Sequence, residues 1–344
     1  MKSRMIWPAL VALLCSVALA GCSFKPDKEV WELSGPVFGT SYHIKVVMND
    51  DKDRLEQLSA GINKVLDGVD ASMSTWRDDS ELSRFNEQAD KSQWFPVSDN
   101  FYEVLQESHR VSDLSNGAFD ITIGPVVNLW GFGPEARPET IPDEDLLAQR
   151  MSEVGYDKLQ MRDTPNKAIR SDYPLYLDLS AIAKGYGVDA VGRYLDKQGV
   201  EAYLVEIGGE VDTRGRKPDG DVWRLAIEKP VSQTQTVQRI VALEDLAMAT
   251  SGDYRNYFEV DGHRYSHTID PATGHPISHK LASVSVITDN CMSADAMATA
   301  LNVMGQDKGY TFAVKHDIAA YFIYRGDDGF DTKYTPAFSS YLLD

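Results

Sequence analysis

Three stretches of the chain carry side chains whose types and spacing suit chemistry. The first is Ser293-Ala294-Asp295-Ala296-Met297-Ala298-Thr299. On a helix Asp295 and Thr299, four residues apart, share one face. A carboxylate and a hydroxyl on that face can bind a hard cation, which takes oxygen ligands. The competing reading is a helix start capped by Ser293, with Thr299 bonded back into its own helix. The second stretch is Asp178-Leu179-Ser180-Ala181-Ile182-Ala183-Lys184-Gly185. An acidic residue, free backbone groups at a helix start and a lysine one turn in suit a phosphate or its metal. Asp178 as a helix-start charge and Lys184 as a solvated one is an equal reading. Neither a Walker nor a GxGxxG spacing occurs, so no standard nucleotide fold is implied. The third stretch, Tyr265 to Gly274, sets His267 at a strand end before a Pro/Gly turn. There it is a general base or a structural histidine. Gly208-Gly209 and Ser251-Gly252 read as turns where backbone can approach a ligand.

These stretches need elements to hold them. Tyr42, Ile44 and Val46 alternate with His43 and Lys45 as in a half-buried strand. Leu55, Leu58, Ile62, Val65, Leu66 and Val69 recur at helical spacing. A second helix is expected over 100–116, capped by Ser98 or Asp99 and stopped by Gly117. A third follows Asp178-Leu179-Ser180 and ends near Gly199. Residues 202–207, 223–228, 239–243 and 282–287 read as strands. Tyr257 to Val260, Asp261-Gly262, then His263 to His267 reads as a hairpin, because Asp-Gly suits a two-residue turn. A last helix is expected from Ser293 to Met304, ending at Gly305. Both element types are mixed without regular βαβ alternation. The expected fold class is therefore α+β, one large domain of mixed helices and mainly antiparallel sheet, with a smaller lobe around residues 50–160.

Composition narrows the partners. The net charge is −18, which argues against nucleic acid, since that needs a basic footprint. An anionic ligand must be held by local devices such as backbone amides, a lysine or a metal. Cys15, Cys22 and Cys291 are the cysteines. No zinc cluster or redox CxxC pattern is present. Cys291 reads as a small buried apolar residue.

Lys2 and Arg4 precede an apolar run from Met5 to Ala20, followed by Gly21-Cys22. The run fits the apolar region of a secretory signal better than a membrane span. Leu19-Ala20-Gly21-Cys22 resembles a bacterial lipobox, in which the cysteine is acylated after cleavage before it. The expected organisation is a signal over 1–21, a lipidated tether over 22–33 starting at Cys22, and one domain over 34–344. Loss of Lys2 and Arg4 takes the mature chain to −20. The expected location is the cell envelope, periplasm-facing and lipid-anchored, with Ser23 weakly favouring the outer membrane.

Taken in order, the segments resemble the FAD:protein FMN transferase family, the ApbE type. The resemblance runs through Phe38-Gly39-Thr40, Met73-Ser74-Thr75-Trp76, Ser80 to Asn86 and Gly117-Ala118-Phe119-Asp120-Ile121-Thr122. It continues through Gly124-Pro125, Asn128 to Gly133, Asp178 to Lys184, Ile207-Gly208-Gly209, Ala249 to Tyr254, Ser266 to Gly274 and Ala294 to Thr299. It implies a T-fold-related domain that moves FMN from FAD to a threonine hydroxyl of a target protein, with Mg²⁺, releasing AMP. By that resemblance Asp295, Thr299 and the Ala181 carbonyl hold the metal. Phe38, Trp76, Ala118, Phe119, Asp120, Asp178, Lys184 and Ile269 bind FAD, with Trp76 and Phe119 offering surfaces for flat rings. His267 is the base. The acceptors implied are exported or membrane redox subunits. The chain departs from the family pattern in three places. Ala298 stands where several members have an acidic residue, Trp76 where tyrosine is frequent, and Phe38 where methionine is common. Two further readings share the same site: a Mg²⁺-dependent FAD pyrophosphatase and a non-enzymatic flavin-binding lipoprotein.

Overall fold

The computed structural model describes residues 28–134, 141–231, 236–253, 256–260 and 262–343. The expected signal and Cys22 lie outside the described residues. Strands β1 (Glu29–Val37) and β2 (Thr40–Met48) form a hairpin around Phe38-Gly39, both at positive φ. The alternation seen in the sequence points Tyr42, Ile44 and Val46 inward. Asp51 caps helix α1 (Lys52–Met73) by accepting from the Arg54 N–H. The apolar stripe Leu58, Ile62, Leu66 and Val69 is buried, each such side chain contributing about 1.5–3 kcal/mol. Helix α2 (Glu81–Glu87), strand β3 (Phe95–Pro96) and helix α3 (Asp99–Ser115) follow. Ser98 caps α3 and Asn116, left-handed at φ 53, closes it one residue ahead of the expected Gly117 stop. Short helices α4 (Gly124–Leu129) and α5 (Glu144–Met151) precede β4 (Gln160–Arg162) and β5 (Ala168–Arg170), which join β3 in a small sheet.

Helix α6 (Ala183–Lys197) leads into β6 (Tyr203–Ile207) and β7 (Glu210–Arg214), joined by Gly208-Gly209 at φ 61 and 108. Then come the hairpin β8 (Trp223–Glu228) with β9 (Val237–Leu243), strand β10 (Ala247–Gly252), and the hairpin β11 (Tyr257–Val260) with β12 (His263–Ser266). Strand β13 (Leu281–Thr288), helix α7 (Cys291–Lys315), β14 (Ala319–Gly326) and β15 (Gly329–Tyr334) complete the chain before a short 3₁₀ turn. The main sheet runs β1-β2-β6-β7-β10-β13-β14-β15. Every adjacent pair in it is antiparallel.

Helices cover one face of this sheet, and β8–β9 with the terminal turn covers the other. Strand β14 shows the consequence of two covered faces. Ala320 and Phe322 join the helix-side core, while Tyr321 and Ile323 pack against Leu225, Val241 and Phe338 on the opposite side. The fold is thus the expected mixed α+β domain with a mainly antiparallel sheet. The smaller lobe expected around 50–160 is not separate. Phe101, Leu105 and Phe119 share one continuous core with Val284, Leu301 and Phe322.

Other expectations change in detail. The strand begins at Glu29, so residues 29–33, expected as tether, are half of β1. Ser251-Gly252 is not a turn but the end of β10. Helix α7 starts two residues before Ser293, and its cap is Asn290, whose side chain accepts from the Ser293 N–H. Helical geometry does break at Gly305 (φ 77, ψ 177), but a further helical segment continues to Lys315. Cys291 is fully buried. Burial and the surrounding carboxylates push its thiol well above the ordinary range, so it is packing and not a nucleophile.

Candidate active site

The site is built where the first turn of α6 meets α7. Two features bring these helices close. Asp189 on α6 accepts from the Cys291 and Met292 N–H groups at 2.7 and 2.9 Å, so a buried carboxylate from one helix caps the other. Gly185 leaves room at the crossing: a Cβ there would stand 2.4 Å from the Cys291 carbonyl oxygen and 2.8 Å from Asp295 Cβ. The Gly185 N–H donates to Asp295 Oδ2 at 3.0 Å. Gly185 is the third residue of α6, so its N–H is one of the first-turn donors that no carbonyl of the helix itself takes, and Asp295 supplies the acceptor. Among the described residues the Ala181 carbonyl, which precedes the helix, accepts no backbone hydrogen bond. Asp295 itself is buried. Thr299, half-buried one turn on, makes no bond back into its helix, unlike Thr311, which donates to the Asp307 carbonyl at 2.9 Å.

Lys184 reaches out of the same turn of α6. Its Nζ lies 2.6 Å from Glu210 Oε1 and 3.9 Å from Asp295 Oδ1. Burial works against its charge, but Asp295 and Glu210 outweigh it and hold its pKa above the ordinary lysine value. Burial pushes the Glu210 carboxyl up, Lys184 opposing it. Glu210 follows the Gly208-Gly209 turn, which carries no side chain because a Cβ on Gly208 would meet Thr40 at 2.9 Å. Lys184 also lines a cavity of about 760 Å³, with Phe38, Trp76, Ser180 and Ala183 among its walls. That volume lies within the usual span for a small-molecule site, roughly 300–1,000 Å³. The Phe38 ring packs where a Cβ on Gly187 would stand, 2.9 Å from Cε2. Trp76 is 70% exposed at the rim.

The remaining sequence-chosen residues sit around this nucleus in different ways. Asp178 is buried; Oδ1 accepts from the Ser180 N–H and its own N–H donates to the Ile121 carbonyl, both at 2.8 Å. It thereby fixes the segment entering α6. Asp120 accepts from the Thr122 N–H and hydroxyl at 2.8 and 2.6 Å and from the Tyr156 N–H at 3.1 Å. Burial raises its pKa while these bonds oppose the rise. Its carboxylate is thus spent as a loop brace. Ala118, beside it, is half-buried. Phe119 offers no exposed ring, against expectation, since it is 2% exposed within the main core. Ile269 packs likewise with Val126, Trp130 and Leu147. Neither residue is among the walls of the cavity.

His267 follows β12. Its Nδ1 is 3.0 Å from the Asn256 carbonyl oxygen. A carbonyl only accepts, so Nδ1 donates, and Nε2 keeps the lone pair of a neutral ring. Burial lowers the His267 pKa, and the Lys184 charge adds to the shift against the opposing Asn256 carbonyl. Asn302 ties this strand to the helix: from α7 it donates to the hydroxyls of Ser251 at 3.2 Å and Thr268 at 3.4 Å. Sequence reading missed Glu210, Asp189 and Asn302. The signal for Glu210 lay next to the noted glycine pair. Asp189 and Asn302 act across elements and carry no local signature.

Asp295, Thr299 and the Ala181 carbonyl each offer an oxygen donor, the kind that a hard divalent cation accepts. Among the described residues no group of three or more His, Cys, Asp and Glu converges as a metal cluster. Sulfur- or imidazole-rich metal chemistry is therefore not what these residues offer.

Residues 38–322 match the family model described as the ApbE family. The chain belongs to the ApbE family. It is 47% identical over 334 residues to the FAD:protein FMN transferase of Vibrio cholerae, covering 97% of this chain and 98% of that one. It is 38% identical over 342 residues to the Escherichia coli K12 protein of the same name, covering 97% of each. Among solved structures, flavin transferase ApbE from Vibrio cholerae superposes with a TM-score of 0.83 at 45% identity, covering 92% of this chain and all of that one. The ApbE protein of Thermotoga maritima superposes at 0.81 with 27% identity over the same shares. The family thus spans the sheet, the α6–α7 crossing and the cavity together.

Proposed function

We propose that this enzyme transfers FMN from FAD to a threonine hydroxyl of a target protein, with Mg²⁺ and with release of AMP. Full-length similarity to FAD:protein FMN transferases supports the reaction class. The observation that carries the finer reading is Asp295, fixed by the Gly185 N–H and sharing one face of α7 with Thr299, while among the described residues the Ala181 carbonyl accepts no backbone hydrogen bond. These three would hold Mg²⁺, which neutralises pyrophosphate charge and steadies the AMP leaving group.

The chain's own groups do the rest. Phe38 and Trp76 flank the cavity with aromatic surface for a flat ring. Lys184, on the cavity wall, offers a positive charge for phosphate oxygens. His267, neutral at pH 7 with Nε2 free, takes the threonine proton as the new oxygen–phosphorus bond forms and the pyrophosphate bond breaks. General base help of this kind supplies about 10²–10⁴ in rate. Asp178 holds the segment entering α6, and Asn302 ties Ser251 of β10 and Thr268 to α7.

Cys22 is the proposed lipid-anchored residue, facing the periplasm, with acceptors among exported or membrane redox subunits. Mass spectrometry of the membrane-extracted protein tests it, since a Cys22→Ser chain that fractionates and weighs the same as the parent removes the anchor. The test of the reaction is one incubation of the protein with FAD, Mg²⁺ and a threonine-bearing acceptor. Fluorescent flavin bound covalently to the acceptor, with AMP released, is expected, and Asp295→Ala abolishes it. AMP and free FMN with an unlabelled acceptor would assign the site to hydrolysis instead. FAD bound without turnover would assign it to a binding protein.

A further inference from the structure

Lys184 stands between two carboxylates and contacts them unequally. Glu210 Oε1 is at 2.6 Å, within direct hydrogen-bond reach, while Asp295 Oδ1 is at 3.9 Å. The Lys184 side chain is about one-third exposed, whereas Glu210 is 3% exposed. The second Glu210 oxygen, Oε2, is buried with no hydrogen-bond partner among the described residues. A buried carboxylate with an idle oxygen carries a desolvation cost that one ion pair does not obviously offset. An arrangement of that kind is poorly explained by stability. A lysine has four rotatable bonds and a compact charge that settles on the nearest available anion. Without Glu210, the nearest anion within its reach is Asp295.

We propose that Glu210 is a positioning residue that holds the Lys184 ammonium off Asp295, keeping that carboxylate open for a divalent cation. It rests on the reading of Asp295 as a metal ligand given above. The geometry of the β6–β7 turn serves this role. Gly208 leaves space in which Lys184 Cδ and Glu210 Oε2 both lie 3.5 Å from its absent Cβ. The Gly209 N–H is held by Glu206 Oε1 at 2.6 Å, which fixes the start of β7 and so the root of Glu210. On the far side, Asp295 Oδ2 is engaged by the Gly185 N–H, so Oδ1 is the oxygen left for either the ammonium or a metal. Glu210 decides that competition by offering the lysine a closer partner. In its absence a cation must displace the ammonium before it can bind.

The test is a double-mutant cycle on metal binding, read without turnover. Mn²⁺ alone is titrated into the wild type, Glu210→Gln, Lys184→Met and the double variant, and free Mn²⁺ is followed by electron paramagnetic resonance. Glu210→Gln is expected to weaken Mn²⁺ binding about tenfold. In the Lys184→Met background the same change is expected to alter it by no more than about twofold, because no ammonium remains to compete. Equal losses in both backgrounds overturn the proposal, since long-range charge alone would produce them. The melting temperature of Glu210→Gln is expected to change little, because the freed Lys184 ammonium takes Asp295 as its partner and no buried charge is left unpaired. A Glu210→Gln chain that fails to fold makes the residue structural and also overturns it. Wild type that binds no Mn²⁺, or binds it equally after Asp295→Ala, overturns the metal site and this inference with it. Intact Mn²⁺ binding at Asp295 with an additive cycle overturns the inference alone.

Discussion

Gly185→Ala probes the α6–α7 crossing with a single methyl group. Two effects oppose each other. In a helix interior Ala is favoured over Gly by roughly 0.8–1.0 kcal/mol, and somewhat less in a first turn such as this one. Against that, the new Cβ would stand 2.4 Å from the Cys291 carbonyl oxygen, 2.8 Å from its carbon and 2.8 Å from Asp295 Cβ. Two of these atoms are backbone, held in place because Asp189 caps the helix start they belong to. The methyl cannot be accommodated by swinging a flexible side chain. Overpacking of this kind costs about 1–3 kcal/mol. The crossing wins, and a net loss of about 1–2 kcal/mol is expected. At about 2–4 °C per kcal/mol for a domain of this order of size, the melting temperature falls by about 2–8 °C. Separation of the helices also stretches the 3.0 Å bond from the Gly185 N–H to Asp295, so transfer is expected to fall more steeply than folded protein does. Gly68→Ala is the matched control. Gly68 lies within α1, where an added methyl would meet nothing within 4 Å, so the same substitution there raises stability by about 0.5–1 kcal/mol. Thermal unfolding by circular dichroism reads both. A Gly185→Ala protein as stable and as active as the parent would falsify the crossing as the foundation of the site.

His267→Ala is expected to slow transfer by about 10²–10⁴ while FAD affinity, read by flavin fluorescence, changes by a few-fold at most. Because burial lowers the His267 pKa, the wild-type rate should rise with pH to a plateau with its midpoint below the ordinary histidine value; a midpoint above 6.5 contradicts the assigned environment. Asp212, beside β10 in the sheet, has its pKa pushed up to about 7 by burial and by nearby Asp189. The folded form therefore holds a proton that the unfolded chain releases near its ordinary value of 3.8, so stability falls as pH rises from about 4 to about 7. Asp212→Asn removes that slope and gains about 1 kcal/mol above pH 7 relative to pH 4; parallel melting curves across this range would argue against it.

Much of the architecture was legible because local pattern and tertiary role agree in these segments. The α1 stripe, the Ser98 cap of α3 and the β11–β12 hairpin each declare themselves within a dozen residues. Strand β14 was not anticipated, since a strand covered on both faces shows no alternation of apolar and polar residues. Ser293 was misplaced as a cap because Asn290, three residues earlier, caps the helix by accepting from the Ser293 N–H, and Asp189 takes the Cys291 and Met292 N–H groups from another helix. For the site, the Asp295–Thr299 pair and Lys184 follow from spacing and resemblance. The burial of Phe119 and Ile269 does not, because an apolar residue in a motif reads alike whether it meets ligand or core. Glu210 escaped notice for a related reason: its function lies in the distance between two other side chains, which no linear spacing encodes.

The early start of β1 sets a length scale for the whole protein. With the first strand beginning at Glu29, only seven residue steps separate it from Cys22 instead of the twelve-residue tether expected from composition. Fully stretched, a leash of that length would span about 25 Å. A molecule anchored at Cys22 would sweep a thin shell over the bilayer rather than a deep volume. Its cavity would then meet acceptors at the high effective concentration that short linkers impose. Lengthening the leash by inserted Gly-Ser repeats would trade that confinement for reach, shifting which flavinylation sites are served first.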